Sequence, residues 1–206
     1  MLEELIIRSL ADTLPPETAD AVFLFGQTED NQRSVFATAK KLLEQGQAKK
    51  VMFLNSEPKS GYPGFESWQQ ELTKIGIKPE QIEAVPSPET EILHTRIEAC
   101  AMAKHAIAQA YKTVIVVASP FQQPRAFMAA VTAAFAHYPS LRLHSQAGEP
   151  LPWCQEANHS QGKVEDTRAG LIAGEIERIH KYNQKGDLAY AEEVLEYLHR
   201  RDRNQI

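Results

Sequence analysis

Thr113-Val114-Ile115-Val116-Val117-Ala118 decides the fold. Its β-branched residues crowd a helical turn but pack well on a pleated sheet. The run is short, unbroken and apolar, and it stops at Ser119-Pro120. That is the pattern of a strand buried on both faces, as in a parallel sheet covered by helices. Working outward, 21–25, 51–54 and 82–85 repeat the pattern upstream, and 141–144 repeats it downstream. The stretches between them have helical period. Val35, Ala39, Leu42 and Leu43 stripe 31–45, which Gly46 ends; Phe65, Trp68, Leu72 and Ile75 stripe 65–75, which Gly76 ends. Pro88 opens a long helix from 89 to about 110, and Pro124 suits the first position of a helix over 124–137. Strand and helix thus alternate five times. The pattern predicts an α/β protein, a Rossmann-like open parallel sheet of about five strands with helices on both faces.

The flanks extend this core. An amphipathic helix is expected over 2–14, ended by Pro15-Pro16. Residues 151–163 read as a polar connection holding Trp153. Two C-terminal helices follow, at about 164–184 and 189–201, with Gly186 between them. With 206 residues and no linker or repeat, one domain over 1–206 is expected.

Composition narrows the function classes. A net charge of −5 without a basic stripe argues against nucleic-acid binding. No apolar run is long enough for a membrane span, and the N-terminus lacks a secretory pattern. Cys100 and Cys154 form no metal motif and fit a reducing compartment, so a cytoplasmic location is expected. The dinucleotide, P-loop, nucleophile-elbow and metalloprotease signatures are all missing.

In an open parallel sheet, ligands bind beyond the carboxyl ends of the strands, where strand order reverses. Two arginines mark those ends. Arg33 follows the first strand and Arg125 the fourth, each expected in the first turn of the next helix. A cation is disfavoured there by the helix dipole, so two such placements suggest an anion nearby. If strands one and four are neighbours, both arginines border the switch point.

Five segments, in order, carry a family resemblance. They are Phe25-Gly26-Gln27 with Arg33, Ala37, Ala39 and Leu42; Glu66 leading to Gly76-Ile77; Ser87-Pro88-Glu89-Thr90; Ser119 to Arg125-Ala126; and Gly174-Glu175-Ile176-Glu177-Arg178-Ile179 with Tyr182 and 185–187. Over about 21–187 the chain resembles the domain-of-unknown-function family that includes YdcF, SanA and ElyC, and is most similar to the YdcF-like branch. The resemblance implies a Rossmann-like fold. It also implies S-adenosylmethionine as a candidate ligand, and weakly an envelope role. The chain departs from the family pattern in several places. Ser56-Glu57 replace a Gly-Gly, Glu89 an Asn, Ile92-Leu93 a Glu-Asn pair, and Gln122 a His.

The candidate ligand-binding set is Gly26, Gln27, Arg33, Glu66, Thr90, Ser119 and Arg125. All but Ser119, a ligand contact with no visible activating base, have a structural alternative. Gly26 permits a close backbone approach, Gln27 is a loop amide, and Arg33 has Glu29 and Asp30 near it. Glu66 suits a helix N-terminus, Thr90 a cap, and Arg125 a carboxylate partner. His94 and Glu98 read as a helix-surface pair, as do Glu175 and Arg178. No metal site and no catalytic residue are assigned. The leading expectation is a protein that binds a small anionic or nucleotide-like molecule. A phosphoryl- or glycosyl-related hydrolase or transferase is the second, and a catalytically silent regulatory protein the third.

Overall fold

The computed structural model describes residues 1–159 and 164–206. Five parallel strands form one sheet: β1 (Ala21–Leu24), β2 (Val51–Asn55), β3 (Ile82–Pro86), β4 (Thr113–Val117) and β5 (Arg142–Ser145). Their order is β3-β2-β1-β4-β5. The sheet is therefore the open, Rossmann-like arrangement that the alternation predicts. β1 lies beside β4, with Phe23 opposite Val116 and Leu24 opposite Val117. Strand order reverses between these two strands, and the connections leave to opposite sides. α2 (Glu29–Glu44) and α3 (Phe65–Lys74) cover one face, where Phe36 and Trp68 meet edge to face at 4.9 Å. α4 (Thr95–Ala108) and α5 (Gln123–His137) pack together on the other.

β1 and the Val114–Val117 part of β4 are fully buried, which is why both read as unbroken apolar runs. The outer layer beyond α5 is built by α1 (Leu2–Leu10), α6 (Leu171–Gln184) and α7 (Ala191–Asp202).

Three departures from the sequence reading exceed two residues. α1 stops at Leu10 instead of continuing to Leu14, because Asp12 is drawn to Arg201 and the Ser145 N–H. α4 begins at Thr95 instead of at 89; the Thr90 hydroxyl donates to the Ile92 carbonyl and accepts from the Ile92 N–H, and Lys59 donates to the Thr90 carbonyl. The third concerns the expected polar connection and the start of the helix after it. They contain an antiparallel pair, β6 (Glu156–His159) and β7 (Val164–Thr167). Residues 160–163 of that connection lie outside the described residues.

Among the described residues no helix is long and apolar enough to cross a membrane.

Candidate functional site

The loops after β1 and β4 part at the switch point and leave a cleft of about 260 Å³. Gly26, Gln27 and Thr28 line it from the first loop, Gln122 and Arg125 from the fourth. Tyr62 reaches it from the β2–α3 loop, and His94, Thr95 and Glu98 from the start of α4. His159 on β6, with Arg178 and Tyr182 on α6, closes the far side. Three helices start here. Their N-caps, Thr28, His94 and Gln122, all line the cleft, and none makes a side-chain cap hydrogen bond. Their positive dipole ends thus face a common space.

Glu98 forms one buried wall. The Gly26 N–H donates to its Oε1 at 2.6 Å. This contact needs glycine, since a Cβ at position 26 would stand 2.9 Å from that oxygen and 3.4 Å from the Tyr62 ring. Burial raises the Glu98 pKa, the Gly26 hydrogen bond and the Arg125 charge oppose it, and the carboxyl ends at about 7. Among the described residues no hydrogen bond reaches its second oxygen, which is left for the cleft. The buried Tyr62 hydroxyl donates to the Leu54 carbonyl at 3.1 Å. Burial and the neighbouring Glu98 charge raise its pKa, so it stays neutral.

Glu175 forms the opposite wall and is 2% exposed. Arg125 donates to it twice, from Nε at 2.6 Å and Nη2 at 3.2 Å, and from Nη1 to Thr95 Oγ1 at 2.7 Å. His159 Nε2 lies 2.7 Å from Glu175 Oε1 and Arg178 Nη1 donates to the same oxygen at 2.9 Å. Burial alone would raise the Glu175 pKa. The Arg125 charge and the bonds from His159 and Arg125 outweigh it and hold the carboxyl down at about 2. Two guanidinium groups thus share one committed carboxylate. Burial, with Arg96 and Arg125 nearby, lowers the His94 pKa and keeps that ring neutral at pH 7.

The β6–β7 pair delivers His159. Asp30 accepts from the Asn158 N–H and side-chain amide, and the Thr28 hydroxyl donates to the Asn158 carbonyl. Buried Arg168 ties the pair to Asn31 and the Asp30 carbonyl. The Phe121 ring then meets the His159 ring edge-on at 5.0 Å.

The structure brings Gly26, Gln27 and Arg125 together at the cleft. Gln27 Nε2 donates to the Phe25 and Gly26 carbonyls and to Gln122 Oε1 at 2.8 Å, so its amide ties the two loops together. Arg125 sits in the first turn of α5, as expected. The other four candidates lie elsewhere. Arg33 is exposed and two residues further into α2 than expected, in its second turn, because that helix starts at Glu29. Glu66 is exposed in a separate groove at the start of α3. Thr90 lies in the loop before α4, and the threonine that opens that helix into the cleft is Thr95. Ser119 caps α5 through its carbonyl, while its buried hydroxyl, which has no partner among the described residues, lies beside a small void near Asn31 and Arg168.

The sequence reading passed over Glu98, His159, Glu175 and Arg178. Glu98 and Glu175 were expected in solvated surface pairs, but both are buried. Among the described residues no group of three or more His, Cys, Asp or Glu is arranged to hold a metal ion.

No family model matches the chain, and neither a curated protein nor a solved structure matches it significantly.

Proposed function

We propose that the chain binds a small anionic molecule in the switch-point cleft, with its anionic group on the side of Arg178, Arg125 and the three helix N-termini. One observation carries the reading: two guanidinium groups line the cleft and share a single committed carboxylate. That leaves positive charge facing a concave space at the position where open parallel sheets take ligands. A phosphate, a nucleotide or a carboxylate meets this requirement. S-adenosylmethionine, the candidate that the YdcF-like resemblance implies, would present its carboxylate to the same wall. A cytoplasmic location belongs to this proposal and is compatible with two free cysteines.

Glu98 favours a second reading, acid–base chemistry on the bound molecule. A carboxyl poised near neutrality, with one oxygen fixed by Gly26 and the other free, is suited to exchange a proton with a hydroxyl or water. A hydrolase or transferase acting on a phosphoryl or glycosyl group would use it so. A silent regulatory protein would keep the anion site and have no need for this carboxyl.

Calorimetry with inorganic phosphate, adenosine nucleotides and S-adenosylmethionine separates these readings. Arg178 is the variant of choice because its side chain is only partly buried. Arg178→Ala is expected to weaken binding of the accepted anion at least about tenfold, the loss of one charge-assisted hydrogen bond. Unchanged affinity overturns the assignment. A Glu98→Gln variant that binds equally well but loses turnover supports the acid–base reading.

A further inference from the structure

A larger space lies along α4. It measures about 680 Å³, within the size range of small-molecule sites. One side is the outward face of α4, with Ile97, Cys100, Ala101 and Ala108; the other includes Pro86 at the end of β3 and Pro88 from the loop after it. α4 carries apolar residues all round its circumference. α5 covers one side, but Ile97 and Cys100 are only partly covered.

This groove and the anion cleft adjoin. His94 lines both. A small void of about 40 Å³ lies between them; it shares Thr95, Arg125 and Tyr182 with the cleft, and Arg96 and Asp187 with the groove. The Arg96–Asp187 ion pair sits at the junction, and both partners are at least one-third exposed, so it is free to open. Among the described residues no Phe, Tyr or Trp lines the groove; its apolar lining is aliphatic, interrupted by His94, Arg96, Lys104, His105 and Asp187. From His94 to Ala108 it follows α4 for about 20 Å, at roughly 1.5 Å per residue.

From this continuity we infer that the ligand is an alkyl- or acyl-chain anion, with its phosphate or carboxylate head in the cleft and its hydrocarbon tail along α4. The inference rests on the anion reading of the cleft and adds the tail.

The test uses the full chain with Cys154→Ser, so that Cys100 is the only thiol. Two probes are compared below their micellar range, butyl phosphate and decyl phosphate. Burying one methylene fully is a gain of about fourfold, so six extra methylenes, half-buried, predict at least about fifty-fold tighter binding of decyl phosphate. Decyl phosphate is also expected to slow maleimide labelling of Cys100 at least about tenfold, while saturating butyl phosphate leaves it unchanged. Arg178→Ala should weaken both probes. Ala108→Asp, at an exposed position, should weaken decyl phosphate alone. If both phosphates bind within threefold of each other and Cys100 stays reactive, the tail is overturned and the anion cleft stands. If neither phosphate binds, the cleft reading itself has failed. Decyl phosphate that protects Cys100 equally in Arg178→Ala would also overturn the joint site, because the head would then lie outside the cleft.

Discussion

The chain buries two guanidinium–carboxylate clusters, and they differ in charge balance. At one end of the molecule Arg201 donates to both Asp12 oxygens, to Asp202 and to the Leu143 carbonyl. Arg8 completes the group by donating to Asp202. Two arginines meet two aspartates, and Asp12 also accepts the Ser145 N–H. This cluster stitches the chain's first and last helices to β5. At the switch point, Arg125 and Arg178 meet only Glu175 as a committed carboxylate, and the cluster opens onto a cleft. The same chemical pair is a closed fastener where its charges cancel and a candidate anion site where they do not.

The largest effects should separate these roles. Arg201→Ala leaves Asp12 buried without its cation, an uncompensated charge that costs about 3–5 kcal/mol. For a chain of this size that lowers Tm by on the order of 10 °C. Phosphate affinity of the folded variant should not change. A small Tm shift, measured by calorimetry, would show that the fastener is not needed for the fold.

Glu175 and Glu98 are next, and they predict opposite pH responses from one cleft. The fold lowers Glu175 from its ordinary 4.5 to about 2. Its stabilisation, about 3 kcal/mol, is complete above pH 4.5 and is lost as pH falls through 2. The fold raises Glu98 from 4.5 to about 7. Its contribution is complete below pH 4.5 and is lost as pH rises through 7. Glu98→Gln keeps an acceptor for the Gly26 N–H and removes that loss. Urea unfolding should therefore find the variant about 2–3 kcal/mol more stable than the parent at pH 8, and no more stable at pH 4.5. A difference that does not vary with pH would mean that Glu98 is not held near neutrality.

What was legible in the sequence follows the same division. The β-branched run at 113–118 and its weaker repeats name the sheet, because a strand buried on both faces must be apolar throughout. The strand ends followed, and with them Gly26, Gln27 and Arg125. The remaining site residues depend on contacts across great sequence distance: Glu98 meets Gly26, and Glu175 meets Arg125 and His159. Local spacing saw Glu98 four residues after His94 and Glu175 three before Arg178, which is how solvated helix pairs look. The start of α4 was misread because Pro88-Glu89 has the chemistry of a helix N-terminus, while the structure spends that segment as a loop and opens the helix at Thr95. The β6–β7 pair was missed because its residues are mostly polar and do not alternate; its position is fixed by Asp30 and Arg168, far from it in sequence or outside its strands.

A smaller effect tests how tightly the Glu98 wall is built. The Cβ of Gly26→Ala would press on the Glu98 carboxylate oxygen and meet the Tyr62 ring at ordinary contact distance, with no positive φ to add strain. Glu98 has a flexible end and Tyr62 does not, so the carboxyl must move. The expected cost is about 1 kcal/mol, with the Glu98 pKa rising further as its Gly26 hydrogen bond lengthens. Carbon-13 NMR of the labelled carboxyl reads that change. An unaltered titration would mean that the wall gives way elsewhere.

The smallest effect belongs to Arg33. In sequence it mirrors Arg125, a cation a few residues beyond a buried strand. In the structure the two part because α2 begins at Glu29, two residues before the helix expected from 31, while α5 begins at Gln123, two residues before Arg125. Arg33 is thereby carried into the second turn and points to solvent, and among the described residues it makes no hydrogen bond or ion pair. Helix dipole effects fade beyond the first turn. Arg33→Ala should therefore change stability by no more than about 0.5 kcal/mol and leave phosphate binding unaltered, while Arg178→Ala weakens it. Equal losses in the two variants would place the anion across the start of α2 and not against α6, and would move the site to the other side of Gly26.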